Sequence, residues 1–553
     1  MTNTSGPTTR TTATLSRTTF SRRELLQGMS VVLGAGMTGT TIGRVLLGNT
    51  PAYAALGPTL PTGTPVVVVV ELAGANDILN THIPFAVPNT TGYYRNARPN
   101  IGITRLTNVR PYTAPPAGDY LPPALDLDGA WALHGALPWL ANRWHDRHDV
   151  AIVQGVGENV QREMSHFGAM SYRWAGAFTG PLMATGWLGR YNDLANANQP
   201  LGAISLAGVH QSLASVNSPS VAIGDLQSFG FYANNVPDGP RWMSDFTSLG
   251  DPAPVATNKV ATAARSLANA NAAVAKAKGV AVLPSSGGSG SLAGQLSTAA
   301  SLILGGVPCQ TYVATLGGFD THGGEPYNHW ERLTALNAGL AHFFSLIDNS
   351  PRANDVFVVI QSEFGRQITQ NSGIGTDHGL GSSVFVIGGG TRGGLYGEMP
   401  SLAPASRYFD ALIPTVDFRS VYATVLNRLG HDANLTESAL GMNESNTRFS
   451  DLGLFTTGPQ SPPSTPTAPT TTTQATITTT PMPPTTTPMP PTTTTTTPMP
   501  PTTLLPVTPT TTKTAVPTTT RKPTTTTRKP TTTAKRATTS SGMPTATTPT
   551  IPL

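Results

Sequence analysis

Pro65-Val66-Val67-Val68-Val69-Val70-Glu71-Leu72-Ala73-Gly74-Ala75-Asn76-Asp77 is the stretch that decides the fold. Five consecutive valines between a proline and a glycine are too short for a membrane span and uniformly β-branched. They predict a strand buried on both faces rather than one with a wet side. Such a strand needs helices on both sides of its sheet. The segments downstream supply them: an Ala-rich helix over 263–278, helix over 297–304, strand over 310–316, a long amphipathic helix over 327–347, and strands over 355–360 and 383–387. A further strand is predicted at 150–154, and irregular elements that cover the site between 155 and 262. Strands alternating with helices imply right-handed crossovers, hence an α/β fold with a doubly wound, mostly parallel sheet.

Composition separates this domain from both ends of the chain. The net charge is +5 over 553 residues, but residues 1–54 hold five Arg and one Glu, and the chain after residue 460 holds seven Lys or Arg and no acid. Residues 55–460 therefore carry a net −6, and the basic balance belongs to the ends. The folded part has no basic patch interleaved with aromatics, which excludes a nucleic-acid partner. A single cysteine, Cys309, excludes an internal disulfide framework. Stability must come from core burial, which a domain of this length supplies.

The N-terminal stretch reads as an export leader. Ser21-Arg22-Arg23-Glu24-Leu25-Leu26 precedes a weakly apolar, Gly-rich run from Gly28 to Leu47, and Ala52-Tyr53-Ala54 offers a small-x-small cleavage site after Ala54. The arginine pair is the twin-arginine address, with the twin-arginine translocase as partner. A membrane anchor is the alternative, but Gly28, Ser30, Gly34, Gly36, Thr38, Thr40 and Thr41 make the run too polar to span. The mature chain is expected outside the cytoplasm, in the periplasm, cell envelope or medium, with no transmembrane segment.

From Gly458 onward the chain is nearly all Thr and Pro, with TTTPMPP and TTTRKP repeats. No apolar face recurs, so no core is expected. An extended polyproline-like spacer of this length reaches at most roughly 290 Å at about 3.1 Å per residue. Its hydroxyls invite O-glycosylation, and Arg521-Lys522 and Arg528-Lys529 could touch a cell-wall polymer or glycan, against the simpler reading of a passive stalk. The domains are then a leader (1–54), an α/β domain (55–457) and a tail (458–553).

Polar residues gather where strands end. Asn76 and Asp77 follow the valine run, Asp320 and His322 follow the strand ending near Leu316, and Glu363 and Arg366 follow Ile360. Asp377 and His378 precede the strand that starts near Ser383. Ligands in doubly wound sheets bind outside the carboxyl ends of strands, so these groups can meet on one rim. Carboxylates with imidazoles suit one divalent ion, Zn, Mn or Ca. Each piece has a plainer reading: Asp320 as a helix cap, Asp377-His378 as a surface pair, Glu363 with Arg366 as an ion pair pinning a loop.

The ordered set AGANDILNTHIP, SHFGAMSYRWAG, GWLGRY, GGFDTHGG, SEFGR and TDHGLGSSVFVIGGG, over roughly residues 64–432, resembles a bacterial family known as domain of unknown function 1501. That family is grouped with the alkaline phosphatase and sulfatase superfamily, whose cores hold one or two divalent metals between Asp and His side chains. The resemblance implies an alkaline-phosphatase-like core with Asp77, Asp320, His322 and His378 as metal ligands. It implies Ser165 as nucleophile, with His166 an equal contender for the active role, and Asn76, Glu363, Arg366 and Asp377 in support. Phe364 stands where many members carry a ligating His, which leaves one metal site incomplete. The expected function is a metal-dependent hydrolase of phosphate or sulfate esters. The alternative is a non-catalytic envelope protein that binds through an eroded phosphatase-like domain.

Overall fold

The computed structural model describes residues 59–195, 201–218, 220–226, 229, 270, 272–278, 280 and 290–456. The arginine pair, the cleavage site after Ala54, the tail and most of the Ala-rich segment lie outside these residues. Of that segment, residues 272–278 are helical.

The valine run forms the centre of the sheet. Strand β1 (Val66–Ala73) is flanked by β5 (Thr311–Gly317) and β6 (Val356–Gln361), both parallel to it. With β2 (Val150–Gly157), β3 (Ala203–Ser205), β4 (Ser220–Ala222), β7 (Ser382–Gly388), β8 (Gly394–Tyr396) and β9 (Val416–Asp417), the order is β8-β2-β7-β6-β1-β5-β3-β4, with β9 also beside β2. The sheet is parallel throughout except at β7, which runs antiparallel to both β6 and β2.

Alternate valines feed different cores. Val66, Val68 and Val70 join the cluster on one face and Val67 and Val69 the cluster on the other, all essentially without solvent contact. Each such side chain contributes about 1.5–3 kcal/mol by leaving water. Helices α4 (Leu292–Leu304) and α5 (Glu325–Ile347) close the first face through Leu296, Leu302, Leu336, Leu340 and Phe343. Helices α3 (Trp187–Ala195) and α6 (Phe418–Arg428) close the second, where Trp187 and Tyr422 stack with centroids 4.1 Å apart.

The predicted helices at 297–304 and 327–347 start earlier than their apolar periodicity suggests. Ser291 caps α4 by accepting from the Gly294 N–H, and α5 begins with Glu325-Pro326, proline being favoured in a first turn. Helix α1 (Pro138–Arg147) precedes β2, and within 155–262 lies α2 (His166–Ala175), which follows β2 after a short loop. A small sheet of His82–Pro84, Trp131–Leu133, Ala124–Asp126 and Leu106–Thr107 fills the crossover after β1. Among the described residues no helix is long and apolar enough to cross a membrane.

Candidate metal centre

The reversed direction of β7 is what brings the site together. In a parallel strand the preceding loop lies at the opposite rim from the strand ends, but the loop before an antiparallel strand lies at the same rim. The 371–381 loop therefore meets the loops that leave β1, β5 and β6. Two glycines permit the approach. Gly74 has φ +115°, and a Cβ there would stand 2.4 Å from the Asp320 backbone nitrogen; a Cβ on Gly365 would stand 1.9 Å from the Gly381 carbonyl oxygen.

Three imidazoles converge on one carboxylate oxygen. Asp320 Oδ1 is 3.1 Å from His322 Nε2, 3.3 Å from His378 Nε2 and 3.4 Å from His166 Nε2. In every ring the other nitrogen is already committed. His166 Nδ1 donates to Glu363 Oε1 at 2.7 Å, His322 Nδ1 to Asp377 Oδ1 at 2.8 Å, and His378 Nδ1 to the Met164 carbonyl at 2.7 Å. Those acceptors select the tautomer that leaves each Nε2 with its lone pair facing inward. The Nε2 of His166 is buried and has no hydrogen-bond partner. His166, Asp320 and His378 each offer a donor atom within 4.8 Å of the others. A divalent ion fits this set: it gives the buried nitrogen a partner and turns converging lone pairs from repulsive to attractive.

Electrostatics prepare the carboxylate. Burial opposes ionisation of Asp320, but the Arg366 hydrogen bond and charge, with His322 and His166, outweigh it and hold its pKa at about 2. Asp377 is kept below the usual carboxylate range by hydrogen bonds from Asn371 and His322. The two inner rings are pushed in opposite directions. The Glu363 hydrogen bond raises His166 despite partial burial, whereas burial lowers His378, with the charges of His166 and Arg366 adding to it.

Arg366 ties the loops rather than pairing with Glu363, as the plainer reading of that segment had it. It is fully buried and donates to the carbonyls of Gly74, Ala75, Phe319 and Thr376, and to Asp320 Oδ1 at 2.6 Å. Glu363 turns the other way, accepting from His166, the Gly74 N–H and the Ser362 hydroxyl. Phe364 is buried beneath the rings, its centroid 5.0 Å from that of His166 and nearly parallel to it.

Three sequence-predicted residues sit outside the cluster of converging atoms. Asp77, expected among the ligands, is buried in a two-pronged ion pair with Arg98, which also donates to the carbonyls of Ile368 and Gln367. Asn76 is buried beside it and accepts from Thr81 and His329. Both brace the rim from below. Ser165 is exposed at the N-cap of α2, and its side chain makes no capping hydrogen bond. His166, read from sequence as a contender for the active role, faces the cluster as a donor. Two partners carried no signal in sequence: the Met164 carbonyl, because any residue has one, and Asn371, which donates to Asp377 and to the His322 carbonyl.

Residues 253–451 match the family model described as "Protein of unknown function (DUF1501)". That match takes in Asp320, His322, Glu363, Arg366, Asp377 and His378, and stops short of β1 and His166. No curated protein matches the chain. Among solved structures, Ps i-CgsB in complex with k-i-k-neocarrahexaose is 10% identical, with 67% of this chain and 74% of that one covered and a TM-score of 0.27. A structure from Bacteroides thetaiotaomicron, described under metabolism of multiple glycosaminoglycans, is 9% identical, with 72% and 78% covered and a TM-score of 0.28. What the site can do follows from its own donor atoms.

Proposed function

We propose that this chain is an exported, metal-dependent hydrolase of phosphate or sulfate esters. The observation that carries the proposal is the convergence of three imidazole Nε2 atoms on Asp320 Oδ1, each ring locked through Nδ1. Locked rings are a feature of centres that hold a cation. Imidazole nitrogen favours zinc or another transition metal, manganese included, over calcium, which takes oxygen ligands. Asp320, His166 and His378 would hold the ion, with His322 at the solvent side and Glu363, Asp377 and Met164 fixing the rings. A bound divalent ion would polarise the ester oxyanion and raise the acidity of a nucleophile.

Ser165 is the candidate nucleophile, because it immediately precedes His166 and its exposed hydroxyl is not used as a helix cap. His166, engaged as a ligand, then positions Ser165 through the backbone rather than taking its proton. The twin-arginine leader fits a domain that folds around its ion before export. A glycan-directed or wall-directed tail is part of the same reading.

Phe364 favours a second reading. It fills with an apolar ring the place where many superfamily members carry a second ligating His, as expected of a domain retained for binding alone. Hydrolysis of p-nitrophenyl phosphate and p-nitrophenyl sulfate by the mature chain separates the two. The hydrolase reading expects turnover that chelator abolishes and zinc or manganese restores. Metal-loaded protein inert toward both esters supports the binding protein.

A further inference from the structure

Large apolar side chains stand in solvent on the segments that carry the cluster and on a hairpin hydrogen-bonded to one of them. Phe167, next in chain to His166, is 87% exposed, and Phe409 is 72% exposed. Ile374, in the loop that bears Asp377 and His378, is 47% exposed. An independent feature marks two of these positions and their neighbours. Ile374, Phe409, Asp410 and Arg162 all have positive φ, at +56°, +46°, +63° and +51°. For a β-branched or bulky residue that conformation is strained, and strain of this kind collects at working sites.

Hydrogen bonds fasten these positions to the metal-binding loops. The Ile374 carbonyl accepts from the Glu325 N–H at 2.9 Å. The Phe409 carbonyl accepts from Gln367 Nε2 at 3.2 Å, and the Asp410 carbonyl from the Ile368 N–H at 2.9 Å. Arg162, two residues before Met164, lies over the Tyr408 ring at 4.5 Å. The polar groups nearby are already engaged, Arg162 with Asn159 and Asp410 with Arg407 and the Thr369 N–H. The rim thus offers apolar surface, with the charged groups of Arg162 and Asp410 already held by protein partners.

We propose that Phe167, Ile374 and Phe409 form a recognition rim for the apolar alcohol portion of the substrate, making it an aryl or alkyl ester whose anionic end meets the Asp320 cluster. This rests on the hydrolase reading of that cluster. Burying one aromatic face distinguishes such an ester from a small polar one by about tenfold or more in affinity.

The test uses the zinc-loaded mature chain and two non-hydrolysable probes, phenylphosphonate and methylphosphonate, titrated by calorimetry. The wild type is expected to bind the phenyl compound about tenfold tighter. The double variant Phe167→Ser/Phe409→Ser should bind both probes at the methyl level, with its zinc content unchanged. Ile374→Asn, which accepts the left-handed backbone without a branched Cβ, should fold at least as stably and also lose part of the preference. Equal affinities in the wild type, or a preference that survives in the double variant, overturn the rim while leaving the cluster's role intact. Failure of both probes to bind zinc-loaded wild type overturns the oxyanion reading and the rim with it.

Discussion

His322 Nε2 and His378 Nε2 lie 2.9 Å apart, each on a ring whose Nδ1 already donates to an oxygen acceptor. Two neutral rings in that state face each other lone pair to lone pair. The contact becomes favourable when a proton or a metal ion lies between or beside them, and the nearby Asp320 oxygen completes a cradle for positive charge. Glu363, Arg366 and Asp77 support that arrangement in three different ways, each open to a separate test.

Glu363→Gln keeps an acceptor oxygen for His166 Nδ1–H and the Gly74 N–H, turns an amide NH2 toward the Ser362 hydroxyl, and removes the negative charge. Metal affinity should fall about 10–100-fold, the usual consequence of losing a carboxylate behind a ligating His. Competition titration against a chromophoric chelator measures the loss, and the melting temperature of metal-free protein should barely move.

Arg366→Lys should not rescue the site. One lysine nitrogen cannot replace a guanidinium that reaches four carbonyls and Asp320. Each buried carbonyl left without a donor costs about 1–3 kcal/mol. Urea unfolding of metal-free protein checks this, and an unchanged midpoint would show that the loops hold without Arg366.

Asp77→Asn separates bracing from ligation. It leaves the buried Arg98 charge without its partner, a loss of about 3–5 kcal/mol. Metal content per folded chain should stay at the wild-type level. Loss of metal without loss of stability would return Asp77 to the ligand set.

Much of the candidate site was legible from sequence because its polar side chains follow strands. β1, β5 and β6 end in short loops, so Asp320, His322 and Glu363 could be placed on one rim from connectivity alone. His378 reached that rim for a reason the sequence does not display: the apolar run of β7 looks the same in either direction, and only its antiparallel pairing puts the preceding loop there. The Asp77 role was hidden for a similar reason. Its partner, Arg98, is 21 residues away in a stretch without clear periodicity, and nothing local distinguishes a bracing carboxylate from a ligating one. His166 was visible but ambiguous, since its function depends on Glu363, 197 residues further on.

Export supplies the fourth prediction. Replacing Arg22 and Arg23 together by Lys keeps the charge but removes the twin-arginine address. Precursor should accumulate in the cytoplasm, seen by fractionation as a band that retains residues 1–54. Normal export of the double variant would show that another route carries the chain.

Metal analysis of the purified mature chain tests the central claim most directly. Wild type, and likewise Ser165→Ala, should carry about one transition-metal ion per chain, lost to chelator together with thermal stability. The single variants Asp320→Ala, His166→Ala and His378→Ala should each purify with little or no metal while remaining folded by circular dichroism. Wild-type metal content in all three variants, or folded wild type that takes up neither zinc nor manganese, would contradict the site.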